Sequence, residues 1–153
     1  MMVSDFLPEE PSPEAKAHFQ SPAWCAALFN DPTLQPFGRR NQHGSRHNTF
    51  MSKTLNTKDT IIAWQSFRQR GTQYTENVTL ISMGGGVNGH VDMCHGGFVG
   101  VILDEALGNV AEAERPPEKA TVTAYLRIDY NKAVRTPSKV LCRAGVEKKD
   151  GRK

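Results

Sequence analysis

The chain has 153 residues, 38% of them hydrophobic, and a net charge of +3. That is long enough for one domain with a real core and too mildly basic to argue for nucleic acid. No apolar run approaches the roughly 20 residues of a membrane span, and residues 1–10 are acidic and free of arginine, unlike a secretory signal or a transit peptide.

Three cysteines, Cys25, Cys94 and Cys142, are odd in number and form no CxxC pair. They fit a reducing compartment, so the expected location is cytoplasmic. Ser12-Pro13-Glu14 has the form of a helix start, with Ser as N-cap and Pro in the first turn. A short helix to about Phe19 follows. Ser21-Pro22 repeats the signal for a second helix over 23–29, and Asn30-Asp31-Pro32 stops it. Residues 33–58 are polar, with Arg39, Arg40, His43, Arg46, His47, Lys53 and Lys58, and read as a loop or arm.

Residues 60–67 and 77–83 are rich in β-branched and aromatic side chains and read as two strands. A glycine loop over 84–89 leads to His95-Gly96-Gly97, which opens a long apolar helix ending by Pro116-Pro117. This helix organises the chain. Gly97, Gly100 or Val101, Asp104 and Gly108 recur every three or four residues, so they line one face. Glycine costs about 1 kcal/mol in a helix interior, so such a seam predicts something packed close to the backbone. The seam also carries a carboxylate, which is expensive among apolar neighbours unless paired or hydrogen-bonded. Unpaired N–H groups at the glycine-rich helix start can meet an oxygen of a ligand. Amide donors and a carboxylate on one helix suit acyl transfer. Glu105 points about 100° away around the helix and reads as structural.

Residues 121–130 alternate cleanly and predict a third strand, with Val122, Ala124, Leu126, Ile128 and Tyr130 on one face and Thr123 on the other. Residues 140–147 predict a fourth. Lys149-Asp150-Gly151-Arg152 is a hairpin signal whose next strand the chain does not reach. The expected organisation is a helical and loop extension over 1–58 and a sheet-and-helix domain over 59–153 that lacks its last strands. Without βαβ alternation, the fold class is α+β, an antiparallel sheet with one long helix against it.

His-Gly-Gly followed by Asp104 inside an apolar helix resembles the hotdog-fold acyl-CoA thioesterases, of the phenylacetate-pathway and mammalian thioesterase-superfamily type. The likeness runs over roughly 60–151. It implies hydrolysis of acyl-CoA thioesters, with Asp104 as nucleophile or general base. It further implies that the Gly96 N–H polarises the carbonyl while His95 and Gly97 shape the pocket. The stretch from Thr123 to Tyr130 is similar to the strand from which a leading Thr reaches a neighbouring subunit's site. Several relatives place an Asn six residues before the motif His; here position 89 is Gly, and Asn88, seven before, is the candidate ligand-binding residue. The implied partners are an acyl-CoA substrate and further copies of the chain, as a homodimer or homotetramer. No membrane, metal or separate cofactor is implied, CoA being part of the substrate. The alternative is a non-catalytic hotdog subunit that binds an acyl thioester or pairs with another hotdog chain.

Two rival motifs are weaker. Residues 84–89 match GxGxxG after a strand, but six residues separate them from the helix and no βαβ unit follows. His90, Asp92, Cys94 and His95 match no standard zinc spacing, and His18, His43 and His47 lack companion ligands.

Overall fold

The computed structural model describes residues 10–38, 48–116 and 118–150. Arg39, Arg40, His43, Arg46 and His47 of the basic arm, Pro117, and Gly151-Arg152 of the terminal turn lie outside the described residues.

Two apolar strand sequences form the centre: β2 (Ile61–Gln69) and β3 (Glu76–Met83), paired antiparallel. β6 (Ser138–Gly145) pairs on the other side of β3, and β1 (Leu34–Phe37) pairs on the outer side of β2, giving the order β1-β2-β3-β6. β1 corrects the reading of 33–58 as loop. A second departure is the wide helical turn Phe50–Thr54, which buries Met51 and Leu55 in the core beside Ile61 and Trp64. A small two-stranded ribbon, β4 (Asn88–His90) and β5 (Met93–Cys94), precedes the long helix.

That helix, α3 (Gly96–Glu114), covers one face of the sheet. Phe98, Ile102, Ala106 and Val110 recur every four residues and are buried against Trp64, Ile81, Met83, Cys142 and Ala144. Beneath them Trp64 Nε1 donates to Ser66 Oγ (2.9 Å), which lies 3.0 Å from Thr79 Oγ1, so these three side chains satisfy one another.

The opposite face is covered by α1 (Pro13–His18) and α2 (Ala23–Phe29). Ser12 caps α1 as expected, its Oγ accepting from the Ala15 N–H at 3.0 Å. Phe19, Cys25, Leu34, Phe67, Val78 and Leu80 form the second core cluster. The described residues before β2 are thus joined to the sheet through β1, through these helices, and through Met51 and Leu55.

Residues 121–130 are a correction. They are extended, but they form no strand and make no backbone hydrogen bond among the described residues. They lie instead along the far side of α3, held by side chains. The expected alternation breaks at a bend at Ala124: Thr121 and Thr123 meet the helix before it, Ile128 and Tyr130 after it.

Candidate active site

The site is built on the side of α3 turned away from the sheet. Asp104 stands about 200° around the helix from both Ile102 and Ala106, so burying those two places Asp104 on the outer face. The predicted glycine seam is closely packed at Gly100 and open at Gly108, where a Cβ would meet nothing within 4 Å. The side chain of Ile128 would come within 3.2 Å of a Cβ at Gly100, and the Tyr130 ring within 3.5 Å of one at Gly96. The segment runs antiparallel to the helix, Thr121 at Glu112, Thr123 at Asp104, Ile128 at Gly100 and Tyr130 at Gly96.

At the helix start, His95 is the N-cap and its Nδ1 accepts from the Gly97 N–H at 2.9 Å. A Cβ at Gly97 would stand 3.0 Å from that nitrogen, so a larger residue there would crowd the cap. His95 therefore has a structural task, and the Gly97 N–H is already used. The Gly96 N–H has no partner among the described residues, while the Gly96 carbonyl accepts from Tyr130 Oη at 2.9 Å. Gly96 is exposed, so its amide is open to a ligand oxygen. Tyr130 went unnoticed at the sequence level because its alternation assigned it only to a strand face.

Asp104 is half-buried, and its Oδ1 accepts from Thr123 Oγ1 at 2.7 Å. Thr123 thus meets the carboxylate of its own chain. Both residues line a groove of about 780 Å³ between α3 and residues 120–126. Glu105 is held apart from Asp104 by Asn48, whose Nδ2 donates to it at 3.0 Å.

The remaining candidates have other tasks. Asn88 is joined through Oδ1 to Thr136 Oγ1, a staple between β4 and the loop before β6. A Cβ at Gly89 would stand 3.0 Å from His95 Cα, so a side chain at that position would crowd the ribbon against His95. The GxGxxG loop wraps Asp59: the Gly86 N–H donates to the Asp59 carbonyl at 2.8 Å, and a Cβ at Gly86 would strike the Asp59 carboxylate at 2.7 Å. Burial pushes the Cys94 thiol up, keeping it protonated and a poor nucleophile. No group of three or more His, Cys, Asp or Glu suited to a metal occurs among the described residues. No helix among them is long and apolar enough to cross a membrane.

The sequence of residues 92–152 matches the family model of the thioesterase superfamily. No curated protein and no solved structure matches the chain. The matched segment holds the His-Gly-Gly helix start, Asp104, Thr123 and β6, and it supports a thioester hydrolase-like function in general terms. Residues 92–152 thus resemble the thioesterase superfamily, and the long helix packed on an antiparallel sheet matches the hotdog α+β fold.

Proposed function

We propose that the protein hydrolyses acyl-CoA thioesters at a site shared by two copies of the chain. The observation that carries this reading is the pair of complementary groups on α3: a carboxylate held by Thr123 in an open groove, and a Gly96 amide with no partner among the described residues. Eight residues separate them, about 12 Å along the helix axis, too far for both to act on one carbonyl. A second copy packed with its helix antiparallel brings its own Gly96 to the first copy's Asp104 and completes two equivalent sites.

In such a site the Gly96 N–H of one copy stabilises the developing charge on the thioester oxygen. Asp104 of the other either takes a proton from water, which attacks the carbonyl carbon, or attacks that carbon itself. In the first route the C–S bond breaks as the water oxygen bonds to carbon, and the proton held by Asp104 passes to the CoA sulfur. In the second, the C–S bond breaks to leave an Asp104 mixed anhydride, which water then hydrolyses to the free acid and the Asp104 carboxylate, supplying the proton of the CoA thiol. Thr123 keeps Oδ1 occupied and Asp104 in one rotamer, leaving the second carboxylate oxygen for the reaction. No metal or separate cofactor enters these steps.

The unpaired segment 121–130 favours a second reading, a subunit that binds an acyl thioester or joins another hotdog chain without turnover. Thiol release from an acyl-CoA panel tests the first reading: turnover by the wild type, lost in Asp104→Asn, supports it, and equal rates in both remove Asp104 from the mechanism. Tight binding by calorimetry without thiol release supports the second.

A further inference from the structure

The groove beside Asp104 changes character along its length. Within two helical turns beyond the carboxylate, Leu107, Gly108, Ala111 and Val122 line it. Leu107 is 43% exposed and Val122 89% exposed, so apolar side chains stand open to whatever enters. Gly108 lies on the seam four residues after Asp104, and a Cβ built there meets nothing within 4 Å. The groove is open at that point, with room for a larger side chain. The far end is polar and closed by bonded groups. Thr121 Oγ1 donates to Glu112 at 2.7 Å, and Arg115 pairs with Glu112 at 2.5 Å and donates to the Pro116 carbonyl.

We propose that this groove holds the acyl group of the substrate as a linear saturated chain of medium length, and that Gly108 sets that length. The inference rests on the thioesterase reading above. From Asp104 to Ala111 is seven residues, about 10 Å along the helix, the reach of an extended chain of about eight carbons. A longer chain must press its end against the Glu112–Thr121–Arg115 wall, where burying methylenes gains nothing. A shorter one leaves Leu107 and Val122 uncovered and forgoes about fourfold in binding per methylene.

The test compares octanoyl-CoA with butyryl-CoA, read as a ratio of kcat/KM. The wild type is expected to prefer octanoyl-CoA by at least about tenfold. Gly108→Leu, which suits a helix better than glycine, is expected to lower that ratio at least about tenfold, and Ala111→Leu to lower it by a smaller factor. The same ratio is measured as equilibrium binding in an Asp104→Asn background, with and without Gly108→Leu. Turnover with a ratio unmoved by either leucine overturns the groove assignment and leaves the thioesterase reading standing. Absence of turnover with a binding ratio that falls in the Gly108→Leu background overturns the hydrolase and supports the acyl groove. Equal binding of both acyl-CoAs in every variant overturns the inference.

Discussion

Thr123 donates its hydroxyl to Asp104 Oδ1 at 2.7 Å, although the segment carrying Thr123 is joined to the fold by no backbone hydrogen bond among the described residues. Side chains alone set the position of this contact. Removing the hydroxyl without changing the shape therefore isolates its task. In Thr123→Val, kcat for acyl-CoA hydrolysis is expected to fall about 10- to 100-fold with KM little changed, and Thr123→Ser is expected to recover most of it. Asp104→Asn is expected to fall further, about 10²- to 10⁴-fold, as for loss of a general base. Wild-type kcat in Thr123→Val would separate Thr123 from the positioning of Asp104.

The amide of Gly96 is removable with little else disturbed. Gly96 is the first residue of α3, where proline is well tolerated. His95 before it is already extended, at φ −62° and ψ 131°, as a residue preceding proline prefers. Gly96→Pro is therefore expected to fold and to lose about 10²- to 10³-fold in kcat, the cost of one oxyanion donor. Because the proposed site takes Gly96 from one copy and Asp104 from the other, mixing Gly96→Pro with Asp104→Asn and allowing subunits to exchange should restore part of the activity. Two intact groups then meet at one of the two sites of each mixed dimer. Light scattering that gives a monomer, or no recovery on mixing, contradicts the shared site.

Much of this was legible in the residues, and the failures have physical causes. The Ser12 cap, strands β2, β3 and β6, and the span of α3 follow from capping chemistry and apolar periodicity, which act locally. β1 is hidden because Leu34-Gln35-Pro36-Phe37 is four residues long and contains proline, which a strand accepts only at an edge. Residues 121–130 have a clean strand pattern, yet a strand also needs a neighbour to bond. None pairs with it among the described residues, so its side chains settle on the helix and its phase breaks at Ala124. The close packing expected of the glycine seam is present at Gly100 and absent at Gly108, and the carboxylate within it lines the groove together with Glu105 and Glu112. That Thr123 serves Asp104 of its own chain depended on the path of the segment, which alternation alone does not define.

The N-terminal helices are part of the fold's stability rather than an appendage. Phe19 is fully buried, its ring 6.3 Å from that of Phe29, which meets Phe67 of β2 edge-on at 5.1 Å. Phe19→Ala is expected to cost about 3–5 kcal/mol by urea unfolding, the range for a buried phenylalanine. Trp24→Ala, at a side chain 44% exposed, is expected to stay within about 1 kcal/mol. A small loss in Phe19→Ala would mean that α1 and α2 rest on the sheet without being coupled to it.

The same helices give stability a dependence on pH. His18 Nε2 lies 2.9 Å from Ser82 Oγ on β3, and Lys139 Nζ from β6 donates to the His18 carbonyl at 2.6 Å and to that of Ser21. Burial first, and the Lys139 charge second, hold the His18 imidazole below its ordinary 6.5. The unfolded chain therefore binds a proton more readily than the folded one. The contribution of neutral His18 is complete above about pH 6.5 and is lost as pH falls from there toward the lowered folded value, beneath which it is flat. Glu114 acts in a lower window. The Thr75 hydroxyl bond holds its carboxyl below the usual 4.5, so its contribution is lost only as pH drops beneath that value. Tm of the wild type is expected to fall between about pH 7 and 5, and His18→Gln, which can still bond Ser82, is expected to flatten that interval while leaving the steeper acid loss below about pH 4.5. An unchanged slope in His18→Gln would place the titrating group elsewhere than at the contact between α1 and β3.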